Sequence, residues 1–187
     1  MPTSSHSSVA GVLLLCVDLQ PVFIKAMADR DELLKRCSFA IEVASGFGMT
    51  VMFTEQVPLK LGGTDERLLK LAKAPIVYAK TTFSAFEDNG IHDALLAQNI
   101  EHVIICGLET PVCIYQTALG ALNENMQVTV LTDAIGARRP DDAASCLASL
   151  SRSGVHLLPS ETVFYSLLHD VKHPFFKDYT RLVKHYA

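Results

Sequence analysis

The chain has 187 residues, of which 49% are hydrophobic and 19% charged, and a formal net charge of -4. That length suits one domain with a full apolar core and excludes a chain disordered over most of its length. No run of Lys or Arg is longer than a pair such as Arg138-Arg139, so the basic stripe that replaces phosphate counterions in nucleic-acid binders is missing.

The opening MPTSSHSS has no basic start of the kind that marks a secretory or transit peptide. Residues 1–8 read as a disordered tail, and 9–187 as a single domain without repeats or a linker. The apolar run from Val9 to Val17 is too short to cross a bilayer, and Val12 to Val17 reads as a buried strand. Similar runs follow from Thr50 to Thr54, Ile76 to Tyr78, His102 to Cys106, Gln127 to Thr132 and Val155 to Leu158. Several are apolar throughout, as expected of parallel strands covered on both faces. Between them, Leu33, Cys37, Ala40, Ile41 and Ala44 recur at helical spacing, as do Ile114, Ala118, Ala121 and Leu122, and then Ala143, Leu147 and Leu150. Strands alternating with helices predict an α/β sheet with crossover connections. The segment from Glu55 to Thr64, with Pro58 and Gly62-Gly63, reads as an active-site loop. His173 to Ala187 reads as a terminal helix available to a neighbouring subunit.

The five cysteines, Cys16, Cys37, Cys106, Cys113 and Cys146, are odd in number and contain no CxxC pair. That usage fits reduced thiols and a cytoplasmic location better than a disulfide framework.

In open α/β sheets ligands gather at the carboxyl ends of strands, where strand order reverses. Asp18 follows the first expected strand, Lys80 the third, and Cys113 lies beyond the fourth where a turn enters a helix. Taken singly each has an ordinary explanation: a small core thiol, a turn carboxylate, a solvated surface charge. Together they place a nucleophile, a base and a cation in one neighbourhood. A helix start stabilises a thiolate, and Lys80 acts in the same sense. Asp18 is suited to take the thiol proton and return it to a leaving amine. The N–H groups of Val112 and Cys113 are expected to hold a developing oxyanion, with Pro111 at a position that needs no donor.

The segments LLLCVDLQPVF, VMFTEQVP with LGGT, KTTFSAF, ICGLETPVCIYQTALGAL and VTVLTDAIGAR resemble, in order, those of the isochorismatase-like cysteine hydrolases. The resemblance is closest to the isochorismatase domain-containing proteins, and a weaker match continues from SGVHLLPSE to HPFFK. It implies a three-layer Rossmann-like sandwich with a six-stranded, mostly parallel sheet. It also implies a catalytic triad of Asp18, Lys80 and Cys113, a cis peptide at Leu108–Glu109, and a homo-oligomer. Gln56 and Phe23 match pocket positions, and Glu109 and Tyr115 flank the nucleophile, so all four are expected to contact substrate.

Nicotinamidases of this family hold a metal with Asp and His in the loop after the second strand. Here that loop reads TEQVPLKLGGT, without His, so no metal and no cofactor are expected. The cysteine points to a carbonyl substrate, an amide or related C–N bond of a small metabolite, opened through a thioester. The rival reading is a hydrolase-fold binding or scaffold protein with little turnover. A dinucleotide-binding domain needs a Gly-rich turn after the first strand, where this chain has Asp18-Leu19-Gln20-Pro21.

Overall fold

The computed structural model describes residues 9–187, so the expected tail at 1–8 lies outside the described residues. Each apolar run becomes a strand: β1 Val12–Val17, β2 Thr50–Gln56, β3 Ile76–Lys80, β4 His102–Gly107, β5 Gln127–Ile135 and β6 His156–Leu158. They form one sheet in the order β3-β2-β1-β4-β5-β6. Among the described residues every pairing is parallel. From β1 the chain builds outward to β3 on one side, then returns beside β1 with β4 and builds outward to β6. The order therefore reverses between β1 and β4.

Among the described residues nine α-helices flank the strands, the last two following β6: α1 Pro21–Ile24, α2 Arg30–Phe47, α3 Pro58–Leu61, α4 Glu66–Leu69, α5 Asn89–Ala97, α6 Tyr115–Asn123, α7 Pro140–Arg152, α8 Ser160–Leu168 and α9 Phe176–His185. The period of two along a strand decides which layer each residue joins. Leu13, Leu15 and Val17 face the α5 and α6 side with Val103, Ile105 and Val130. Leu14 and Cys16 face α2, α8 and α9 with Ile104 and Cys106. The result is the three-layer α/β sandwich.

Helix α9 packs on α2 of its own chain. Tyr179 is fully buried and its ring lies 6.0 Å from that of Phe39, so this face is spent within the chain and is not left for a neighbouring subunit. Among the described residues no helix is long and apolar enough to cross a membrane.

Candidate active site

Asp18 is the first residue past β1, and its backbone turns at φ 50, a left-handed conformation that Asp tolerates better than most residues. Its N–H donates to the Thr54 carbonyl of β2 across 3.1 Å, which fixes the turn. The carboxylate is almost wholly buried, at 1% exposure, and both oxygens are engaged. Oδ1 accepts from Thr54 Oγ1 at 2.8 Å and Oδ2 from Lys80 Nζ at 2.8 Å. A buried charge survives only when paired and hydrogen-bonded, and both conditions are met.

Lys80 ends β3, two strands away, and its side chain is completely shielded from solvent. Besides Asp18, Nζ donates to Gln56 Oε1 at 2.6 Å and to the Thr82 carbonyl at 3.2 Å. It also lies 3.7 Å from Cys113 Sγ. An ammonium can make three good donations, so these oxygens saturate it and aim it at the space between carboxylate and thiol.

Cys113 arrives from β4 by a route that depends on a close strand approach. Gly107 sits at φ 115, and a Cβ there would fall 2.1 Å from the Val17 carbonyl oxygen. Only glycine lets β4 run this close to β1 where the order reverses. The Leu108–Glu109 peptide beyond it is cis. Thr110 then anchors the segment to the end of β5, donating N–H and Oγ1 to the Gly136 carbonyl at 2.9 and 3.0 Å. Thr110–Ile114 forms one wide π turn, closed by the Ile114 N–H on the Glu109 carbonyl at 3.2 Å. Such turns insert a residue into a helical path and concentrate at functional sites.

One expectation about the nucleophile, its resting state, needs correction. The sequence predicts a thiolate stabilised at rest. In the structure burial, followed by the adjacent Asp18 charge, pushes the Cys113 thiol up to about 12, and Lys80 only partly offsets this. Cys113 therefore rests as a thiol. Of the two amides expected to hold an oxyanion, that of Val112 already donates to the Glu109 carbonyl at 3.0 Å.

The four expected substrate contacts separate. Gln56 joins the site, but its side chain is committed to Lys80 and, through Nε2, to the Thr81 carbonyl at 3.0 Å. Glu109 is held by Arg138, which donates Nε to both carboxylate oxygens at 3.0 Å and its N–H to Oε1 at 2.9 Å. The Tyr115 hydroxyl pairs with Ser149 on α7 at 3.1 Å. Phe23, in α1, packs against the hydrophobic cluster on the α2 side of the sheet.

Two residues of the site had no signal of their own in the sequence. Thr54 bonds the Asp18 carboxylate, as above. Gln20, fully buried, accepts the Gln56 N–H at 2.7 Å and donates to the carbonyls of Gln56 and Gly62 at 3.1 and 2.5 Å. It thereby couples the residue that holds Lys80 to the loop that follows β2. Glu55 pins the far end of that loop, accepting the Thr64 N–H at 2.7 Å. Val57 between them sits at φ 42, a conformation that β-branched residues avoid, and its N–H is held by the Lys80 carbonyl at 2.9 Å. Among the described residues no group of three or more His, Cys, Asp or Glu side chains is placed to hold a metal ion.

Comparison with known proteins identifies the family and the fold. Residues 12–162 match the model of the isochorismatase domain. Isochorismatase domain-containing protein 2 of Xenopus laevis is 33% identical over 174 residues, which are 93% of this chain and 83% of that protein. Among solved structures, MAR1 ribonuclease from Caenorhabditis elegans superposes with a TM-score of 0.88 at 26% identity, covering 96% of this chain and 93% of that one. The ycaC gene product of Escherichia coli, an octameric hydrolase of unknown specificity, shares the fold with a TM-score of 0.83 at 21% identity over 100% and 98% of the two chains. With a domain match over most of its length and a relative one-third identical across nearly all of it, this chain belongs to the isochorismatase family and has its hydrolase fold.

Proposed function

We propose that this protein is a cysteine hydrolase that opens an amide-like C–N bond of a small metabolite through a thioester. One observation carries the reading: a buried ammonium lies 2.8 Å from the Asp18 carboxylate and 3.7 Å from the Cys113 sulfur. A cation at that place is set to balance negative charge that develops on the sulfur and the attacked oxygen.

Asp18 accepts the Cys113 proton as the sulfur attacks the substrate carbonyl. A thiol that rests protonated requires such a base in the attacking step. Lys80 offsets the negative charge as it moves from carboxylate to sulfur and oxygen. The Cys113 N–H serves the oxyanion, and the Val112 N–H joins it by releasing the Glu109 carbonyl. Asp18 then gives the proton to the departing amine, leaving the acyl group on sulfur. Water, deprotonated by the same carboxylate, attacks the thioester, and Cys113 leaves and regains its proton.

The site is nearly closed, with Cys113 only 7% exposed, so the substrate is small. The ribonuclease activity in the name of the nematode neighbour belongs to that protein. The net charge of -4 here disfavours a polyanionic substrate. We place the enzyme in the cytoplasm as a homo-oligomer that needs no metal or cofactor. A screen of short-chain amides with wild type and Cys113→Ala tests the reading: turnover lost in the variant supports it. Equal turnover in both removes it.

A further inference from the structure

A second group of thiols lies on the sheet face opposite Cys113. Cys16 of β1 and Cys106 of β4 are direct register partners, so their side chains leave the sheet side by side. Their sulfurs are 3.6 Å apart. Cys37 of α2 belongs to the same buried cluster and donates to the Ala134 carbonyl at 3.3 Å. All three are fully buried, and the hydrolytic mechanism uses none of them.

Neighbouring strands spaced by about 4.8 Å hold paired Cα atoms within the span of roughly 4.4–6.8 Å that a disulfide bridges. Sulfurs already in contact reach the bonded distance of about 2.05 Å through side-chain rotation and a small strand approach. The pair also occupies a telling place. Cys16 stands two residues before Asp18, and Cys106 ends the apolar run that leads into the Cys113 turn. A bond between them would tie together the two strands that carry base and nucleophile.

We propose that Cys16 and Cys106 are a thiol modification site distinct from Cys113, which a peroxide converts to a reversible cross-strand disulfide. One thiol, as its thiolate, attacks a peroxide oxygen. The O–O bond breaks, one water leaves, and that sulfur becomes a sulfenic acid. The other thiol attacks it, the S–S bond forms, and the hydroxyl departs with the second thiol's proton as another water. Two thiols lose two electrons and the peroxide gains them. Cys37 provides an exchange partner for Cys106 through ordinary thiol–disulfide chemistry. Because the thiols are sealed, oxidation waits on local opening and runs slower than at the partly exposed Cys146.

The proposal does not depend on the hydrolase reading, and its test uses no substrate. The folded Cys113→Ala protein is exposed to hydrogen peroxide, denatured with an alkylating reagent but no reductant, and mapped by peptide mass. The expected product is the Cys16 peptide joined to the Cys106 peptide, lighter by two hydrogens and released by dithiothreitol, with Cys37 alkylated. In Cys113→Ala/Cys16→Ala the pair vanishes, and Cys106 is instead trapped by dimedone or joined to Cys37. Recovery of all three thiols in alkylated form, under exposure that fully oxidises Cys146, overturns the proposal. So does a mixture of pairings like that of the urea-unfolded chain.

Discussion

Lys80 and Asp18 form a contact ion pair of 2.8 Å with essentially no solvent at either group. Breaking such a pair from one side leaves an uncompensated buried charge and costs about 3–5 kcal/mol. Lys80→Met should therefore lower the urea midpoint markedly. Asp18→Asn/Lys80→Met should recover a large part of the loss while remaining inactive. If the single variant is as stable as wild type, the carboxylate is not held as described.

Cys113 should be slow toward iodoacetamide in the free protein. With its thiol pushed up to about 12 by burial and by Asp18, its labelling rate should keep rising between pH 9 and pH 12, where an ordinary thiol has levelled off. The linkage has a matching sign. A thiol whose folded pKa is raised adds stability below its unfolded value, and that stability is lost as pH climbs toward 12. Rapid labelling of Cys113 at pH 6 would contradict this resting state.

Gln20→Ala removes the amide that binds the N–H and carbonyl of Gln56 and the carbonyl of Gly62. Gln56 in turn holds Lys80 at 2.6 Å. Small displacements of catalytic groups cost up to about 100-fold in rate, so kcat should fall about 10- to 100-fold in a folded protein. Steady-state kinetics beside a circular dichroism melt separates this from simple unfolding.

Thr54→Val withdraws the hydroxyl that donates to Asp18 Oδ1 at 2.8 Å. A buried acceptor left without its donor costs about 1–3 kcal/mol, readable by chemical denaturation.

Tyr115→Phe makes the opposite kind of statement. Its hydroxyl pairs with Ser149, so the variant should lose only about 0.5–1.5 kcal/mol of stability and keep its kcat/KM. A large fall in kcat/KM would show that Tyr115 turns toward substrate.

The apolar runs announced the strands because both faces of a parallel sheet are covered. Even the short β6 could be placed from Val155 to Leu158, and it is found at His156–Leu158. The residues at the ends of β1, β3 and β4 were legible because their spacing follows from the fold and the resemblance. Gln20 and Thr54 were not, since a buried amide or hydroxyl acquires a role only through partners 36 residues away along the chain. That the Tyr115 hydroxyl pairs with Ser149 could not be foreseen from its place beside the nucleophile. The π turn over Thr110–Ile114 adds a residue to the helical path, so side chains beyond it face a direction that α-helical spacing does not give. The resting state of Cys113 could not be seen either, because a helix start and a nearby cation argue for a thiolate until the depth of burial is known.

The central claim is that acyl transfer passes through Cys113 sulfur. Its most direct test is acid quenching of the protein during reaction with para-nitrophenyl acetate, followed by intact-mass and peptide mapping. The account predicts an acetyl adduct on the Cys113 peptide, removed by hydroxylamine, absent from Cys113→Ala and strongly reduced in Asp18→Asn. Acetylation elsewhere, or ester cleavage by Cys113→Ala at the wild-type rate, would contradict it.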